Sequence, residues 1–367
     1  MIRRTLAIAV KELRQLRRDV RTTLALLGMP VVLLLLYGYA LSFDVRHIRL
    51  AVVDQDGGRA ARELRDAFLA TDTFDLVSAG NDARALDALF DSGRVQAAIV
   101  IPHDYGSDRV TGRTATVQLV LDGSDAQTAT AVLGYARQIV ASAAPAWREP
   151  RSLGAIRPAT SVWYNPDLSS SRFLVPGLLG FILMVTAVIA TALAVVREKE
   201  RGTMESLRAT PLVAIELLIG KTLPYLLIGS VAAAGAIALA WGLFDVPVRG
   251  SLLALAAVTL LFLAGGLGLG MLISTMAETQ QVAFQAALLI SMLPTLLLSG
   301  FIFPISSMPR ALQLVTHVVP ARYYLVALRG IVLKGTGPEA WGMEAVALGI
   351  FATVVLLVAT VRTVRSL

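Results

Sequence analysis

The sequence predicts a polytopic α-helical membrane protein: six transmembrane helices, with an α/β extracytoplasmic domain inserted between the first and the second. Three observations carry this. The 367 residues are 56% hydrophobic and only 16% charged, against about 25% charged in an ordinary soluble domain, and the mean hydropathy is +0.68. That much apolar surface cannot be hidden inside a globule of this size and must face lipid. Charge-free runs near the length that spans a bilayer core, about 20 residues, occur six times. Between the first and second runs lies a long segment in which strand-like and helix-like stretches alternate. The net charge of +7 and pI near 10 would by themselves point to nucleic acid. With this hydropathy they read as a membrane-topology signal, and no nucleic-acid partner is expected. The absence of cysteine excludes disulfides, thiolate metal sites and cysteine nucleophiles.

Residues 1–21 read as an amphipathic interfacial helix. Ile2, Leu6, Val10, Leu13, Leu16 and Val20 recur every three or four positions, with Arg3, Arg4, Lys11, Arg14, Arg18 and Arg21 on the other faces. Such a helix lies in the headgroup region with its basic side toward anionic lipid. Residues 22–43 are the first transmembrane helix. The uncharged run Thr22 to Phe43 is about twice the 7–15 residues of a signal-peptide core, so it is expected to be a retained anchor.

Residues 44–145 form the expected extracytoplasmic α/β domain. Strands are read at Ile48–Asp54, Phe74–Val77, Val95–Ile101 and Thr114–Leu121, and helices at Arg59–Ala70, Ala83–Phe90 and Ala126–Ala144. Residues 146–172 are punctuated by Pro and Ser and read as a linker back to the membrane. Residues 173–367 hold the remaining five spans, in the charge gaps Phe173–Val196, Thr222–Phe244, Gly250–Ala277, Thr279–Pro309 and Ala345–Val361.

Six spans place both termini on one side. With the termini in the cytoplasm, the inner segments carry 14 Lys/Arg in 58 residues and the outer ones 19 in 180, so the positive-inside rule favours this orientation. A five-span alternative would bring Arg310, Arg322, Arg329 and Lys334 inside, but would expose the basic C-terminus.

The loop 197–211 is dense in both charge signs. Gly202 can stop a helix, Thr203 can cap a short one, and Thr210-Pro211 can start another. It is either a solvated loop or a docking helix for a cytoplasmic partner. In the fourth span Gly266 and Gly270 make a Gly-x-x-x-Gly suited to close helix packing. Residues 304–340 begin with Pro304, Met308 and Pro309. They are too polar to cross and too apolar for a free loop, and read as a re-entrant or interfacial segment buried by its neighbours. Tyr323-Tyr324 suits headgroup depth.

The uncharged, histidine-free spans disfavour ion-coupled transport. His47, His103 and His317 are too scattered for a metal site. Gly220-Lys221-Thr222 is not a P-loop, because Ile215 stands where the first glycine is needed. No set of catalytic partners is legible, so the chain is not expected to be an enzyme or to bind a cofactor itself.

Four stretches resemble the permease subunit of type-2 ABC exporters, in a multidrug-export-like subgroup with a large extracytoplasmic domain. They are Trp163-Tyr-Asn-Pro-Asp167 leading to Phe173-Leu-Val-Pro-Gly177; Glu198-Lys-Glu-Arg-Gly-Thr-Met-Glu205 with Pro211; Ser274 to Gln285 around Thr279-Gln-Gln281; and Leu298-Ser-Gly-Phe-Ile-Phe-Pro304 with Met308-Pro309, Pro320, Arg322-Tyr-Tyr324 and Leu333-Lys-Gly335. The resemblance implies an inner (plasma) membrane permease that exports a hydrophobic or amphipathic substrate by alternating access. It implies two partner types: a second permease, identical or a paralogue, and ABC ATPase subunits that bind ATP and Mg. A periplasmic adaptor is a further partner to look for. Arg197, Glu198, Lys199, Arg201, Gly202, Thr203, Glu205 and Pro211 match the region that couples to the ATPase, with Arg197, Lys199, Arg201 and Glu205 expected to pair with charges on it. Pro304, Met308, Pro309, Pro320, Arg322 and Tyr323 match the segment that closes the outer end of the pathway. The competing reading is a non-transporting membrane sensor or scaffold whose extracytoplasmic domain binds a ligand.

Overall fold

A computed structural model describes residues 2–40, 47–71, 73–82, 84–123, 126–143, 169–202 and 213–366. By contacts the chain divides into Met1–Ser42 with Ser161–Leu367, and Phe43–Thr160.

The first unit is helical. α1 (Ile2–Arg18) is followed by α2 (Val20–Ala40), then in chain order by α7 (Ser170–Glu200), α8 (Ala214–Phe244), α9 (Leu252–Met276), α10 (Gln280–Leu298), α11 (Arg310–Val315), α12 (Pro320–Arg329) and α13 (Pro338–Ser366). Six of these are long and apolar enough to cross a membrane: Val20–Ala40, Ser170–Glu200, Ile215–Phe244, Leu252–Met276, Gln280–Leu298 and Pro338–Val364.

The expected helix over 2–21 stops at Arg18. Asp19 caps α2 instead: its carboxylate accepts from Thr22 N (3.1 Å) and Thr22 Oγ1 (2.6 Å), satisfying a donor that the helix start would leave orphaned. The last span is longer than its charge gap, because Glu339, Glu344 and Arg362 fall within the helical turns at its two ends.

α7 is the central helix. Leu178, Leu179, Ile182, Leu183, Val188 and Ala192 along it are buried, and it packs against α2, α8, α9, α10 and α12. At 31 residues it rises about 46 Å at 1.5 Å per residue, well beyond a hydrocarbon core of roughly 30 Å. Its charged last turn therefore projects out of the lipid. α7 packs tightly against α9 through the two glycines. A Cβ on Gly270 would overlap Thr191 and the Val188 carbonyl, and one on Gly266 would press on Ala187 and Met184 at 3.2 Å. The gap left by the missing side chains lets Thr191 Oγ1 donate across to Leu267 O (2.9 Å).

In the second unit, β1 (Ile48–Asp54), α3 (Arg59–Leu69), β2 (Phe74–Gly80), α4 (Ala85–Asp91), β3 (Ala97–Ile101), α5 (Tyr105–Thr111), β4 (Gln118–Leu121) and α6 (Ala126–Ala143) follow one another. The sheet order is β2-β1-β3-β4; β1 is parallel to β2 and β3, and β3 is antiparallel to β4. β1 is apolar on both faces from Leu50 to Val53 because both faces are covered there. Ile48, Leu50 and Val52 pack with Phe68, Phe74 and Ile99, while Ala51 and Val53 pack with Leu86 and Ala98 on the other side.

Against expectation, β2 runs on to Gly80, α4 starts at Ala85, β3 and β4 start later, at Ala97 and Gln118, and α5 is an additional helix. α5 is a polar helix of seven residues, about two turns, with too little periodicity to read. Its start is held by Asp56, which accepts from Gly106 N (3.0 Å) and Gly58 N (3.1 Å). Most of the expected linker 146–172, including Trp163 to Asp167, lies outside the described residues.

Replacing Gly270 by Val should cost about 1–3 kcal/mol through overpacking, read as a lowered melting temperature of the purified protein. Gly235→Ala, with no atom within 4 Å of the new Cβ, should leave that temperature within a degree or two. Equal effects would remove the glycine seam from the account.

Candidate functional site

The last turn of α7 sends four consecutive side chains to five neighbours, because successive residues on a helix point about 100° apart. Arg197 Nη1 donates to Asp19 Oδ2 (3.3 Å) at the α1–α2 junction. Glu198 Oε1 accepts from Lys11 Nζ on α1 (2.9 Å), and its other oxygen pairs with Lys221 of α8. Lys199 Nζ donates to Ser274 O and, at 3.3 Å, to Ala277 O, the free carbonyls at the end of α9, where a cation also answers the helix dipole. Glu200 Oε1 accepts from Gln280 N (2.7 Å), the first amide of α10, and the Gln280 side chain joins it. The helix then ends, with Arg201 N on Arg197 O (3.1 Å) and Gly202 N on Lys199 O (3.1 Å). Gly202 has φ +70°, a left-handed conformation that glycine adopts without strain.

At the centre is a buried charge cluster. Glu12, Glu198 and Lys221 are 3%, 6% and 3% exposed. Lys221 Nζ also reaches Glu12 Oε1 at 3.4 Å, and Lys11 Nζ bonds Glu12 at 3.0 Å. Two carboxylates and two ammonium groups thus neutralise one another. Partial burial works against the charge on Lys11, but the hydrogen bond it donates to Glu198 and the charges of Glu12 and Glu198 outweigh it and raise its pKa above the usual lysine value. Asp19 is held below the usual carboxylate range, first by the Thr22 hydrogen bonds and then by Arg197. Because that value is depressed in the folded state, the stability Asp19 contributes is present above its unfolded pKa of about 4 and is lost as pH falls through the folded one.

At the other end, Pro304 precedes a 3₁₀ turn at Ile305–Ser307, Pro309 precedes α11, and Pro320 is the first residue of α12. Met308 O accepts from Gln313 Nε2 (2.9 Å). Arg322 bonds Thr316 Oγ1 and lies over the Tyr323 ring at 5.8 Å, and Tyr323 OH donates to His317 O (2.9 Å). These residues knot the segment to itself. Two of its ties to the bundle are Tyr324 and Arg329. Tyr324 is fully buried, stacked on Phe262 at 4.0 Å, with its hydroxyl 3.2 Å from Thr259 Oγ1. Arg329 donates to Gly300 O (3.2 Å), just past α10, and to Phe173 O (3.4 Å), and sits over the Phe173 ring at 4.3 Å. Burial pushes its pKa down to about 10.

The family profile described as "ABC-2 family transporter protein" matches residues 21–361. The chain belongs to the ABC-2 transporter family. It is 35% identical to the probable multidrug ABC transporter permease YbhS of Escherichia coli (strain K12) over 344 residues, covering 92% of this chain and 90% of that one. Its identity to the probable multidrug ABC transporter permease YbhR of the same organism is 30% over 340 residues, 91% of each chain. ABC transporter G family member 20 of Dictyostelium discoideum is 29% identical over 184 residues, 49% of this chain and 25% of that one. The chain is therefore a membrane-embedded transport permease.

Of the permease's expected coupling residues, Arg197, Glu198 and Lys199 find partners inside the chain. Arg201 and Gly202 are exposed beyond them. Thr203, Glu205 and Pro211 lie outside the described residues. Sequence reasoning missed Glu12, Lys221 and the partner role of Lys11. One signal was present: Glu12 is a lone acid one turn from Ile8 and one from Leu16, on the face α1 buries. Lys221 looked only like the charge that opens a gap. Among the described residues no group of three or more His, Cys, Asp or Glu could hold a metal ion.

Lys221→Met should destabilise the permease by about 3–5 kcal/mol, because it leaves two buried carboxylates to share the one remaining cation, Lys11. Adding Glu198→Gln should recover part of that loss, and thermal denaturation of the four proteins measures the coupling. Strictly additive losses would mean that the two groups do not interact. Asp19→Asn should flatten the fall in stability below pH 5, while Asp19→Ala should cost about 1 kcal/mol at neutral pH as a lost cap.

Proposed function

We propose that this permease is the membrane subunit of an ATP-driven exporter that moves a hydrophobic or amphipathic substrate, drug-like or lipid-like, across the inner membrane by alternating access. A separate ABC ATPase subunit binds ATP and Mg and hydrolyses the nucleotide, and a second permease, identical or a paralogue, completes the pathway. The observation that carries this reading is the fastening of the last turn of α7. Side chains at 197–200 reach the α1–α2 junction, α1, α8, the end of α9 and the start of α10. A push on the loop that follows acts on all of these elements together, which is what a transporter powered from outside its own chain requires.

In this reading the docking surface is the loop 201–211, with Arg201, Glu205 and the turn at Gly202 facing the ATPase. Arg197, Glu198 and Lys199 position that loop from within instead of docking themselves. The Lys/Arg bias supports cytoplasmic termini and an extracytoplasmic α/β unit. The uncharged middles of the spans suit apolar cargo, and relatives named as multidrug permeases support a drug-like class.

Gly202→Pro and Glu205→Arg should each reduce co-purification with the co-expressed ATPase at least tenfold and abolish substrate-stimulated ATP hydrolysis in proteoliposomes. Neither should change the melting temperature of the permease alone by more than a few degrees. Full retention of ATPase by both variants would sink the docking assignment.

A further inference from the structure

Two apolar hollows on one flank of the helical unit run into one another. The first, about 450 Å³, lies between α1 and α8 against Leu6, Val10, Leu13, Leu223 and Leu227. The second, about 660 Å³, lies between α8 and α9 and extends to Trp241 and Leu252. Both are bordered by Ser230 and Leu260. From Leu223 to Trp241 α8 rises roughly 27 Å, so the joint groove runs most of the thickness of a hydrocarbon core. Its waist offers no free polar group, because the Ser230 hydroxyl donates to Leu226 O (2.6 Å).

The rim of the groove on α1 is basic. The helical row that sets Leu6, Val10 and Leu13 on the groove continues to Arg3 before them and Arg17 after them, and Arg14 lies one turn beyond Val10. All three arginines are exposed. Lys11, on another face of α1, is engaged by Glu12 and Glu198; Arg3, Arg14 and Arg17 have no carboxylate partner among the described residues. An apolar furrow long enough for an alkyl chain thus opens beside three uncompensated guanidinium groups, which bind phosphate oxygens in a planar, two-point fashion.

We infer that this groove holds one anionic phospholipid of the leaflet at the α1 end. Its phosphate is bound by Arg3, Arg14 and Arg17, and an acyl chain lies along α8 past Ser230. Charge complementarity selects the headgroup, and the apolar waist selects the chain. A polar ligand would leave its hydrogen-bonding groups unpaired there. This site is separate from the α7 loop and does not depend on how the ATPase docks.

The test is native mass spectrometry of the full-length, delipidated permease titrated with phosphatidylglycerol or with phosphatidylcholine of the same acyl chains. The first equivalent of phosphatidylglycerol should bind at least tenfold more tightly than phosphatidylcholine. Arg3→Gln, Arg14→Gln and Arg17→Gln should each weaken it by roughly fivefold, whereas Arg18→Gln, off the row, should not. Leu227→Trp or Val10→Trp, which fill the furrow, should weaken both lipids. The arginine variants sit on an exposed face, so their melting temperatures should match the parent and keep the comparison valid. Equal affinity for the two lipids, or an equal loss with Arg18→Gln, would overturn the headgroup assignment. Unchanged binding in both tryptophan variants would overturn the groove. If the arginine variants shed the ATPase and keep the lipid, the basic rim belongs to a protein partner and the inference is wrong.

Discussion

A lysine carried on a membrane helix and shut away from water needs carboxylates brought to it, and Lys221 imposes that demand on everything around it. One partner comes from α1, as Glu12, and one from α7, as Glu198; Lys11 supplies the fourth charge. No helix can satisfy the cluster alone, so α1, α7 and α8 are held in one arrangement. Exchanging such a cluster for apolar side chains of the same volume is often neutral or stabilising. Its value lies in admitting few alternatives: sliding α1 by one turn along α8 would carry Glu12 away from Lys221 and Lys11 away from Glu198.

The same economy of one residue per neighbour extends along the last turn of α7. Where Glu198 faces inward, Lys199 answers the carbonyl end of α9 and Glu200 the amide end of α10, each meeting the partial charge that the helix terminus presents. The opposite end of the bundle uses different means. There prolines set the short helices, Tyr324 stacks into the apolar interior, and Arg329 bonds the carbonyls of Gly300 and Phe173. One end is thus fixed by charge pairing that excludes other registers. The other is fixed by aromatic packing and hydrogen bonds to carbonyls at the ends of α10 and α7.

Much of this was legible in the chain. The charge gaps located six helices long enough to span, and the glycines at 266 and 270 marked the seam with α7. The alternation of strand-like and helix-like stretches over 44–145 marked the α/β unit. Legibility failed in three recurrent ways. Short elements such as α5 carry too few residues for a period to show. Helix ends moved when a side chain offered a cap, as Asp19 did. A gap-based reading treats every charge at the border of a span as a boundary, so it gives Arg197 and Lys199 partners outside the chain, whereas they bond Asp19 and the end of α9.

Composition and spacing alone determined that this chain lives in lipid, that six of its helices are long and apolar enough to cross it, and where an α/β unit interrupts them. Those properties follow from the cost of exposing apolar surface to water and unpaired backbone to hydrocarbon, which is local and additive along the sequence. The tertiary structure alone decided which charges pair. Lys11, Glu12, Glu198 and Lys221 are separated by up to about two hundred positions, and ion pairing depends on distance in space, which no periodicity in the sequence encodes.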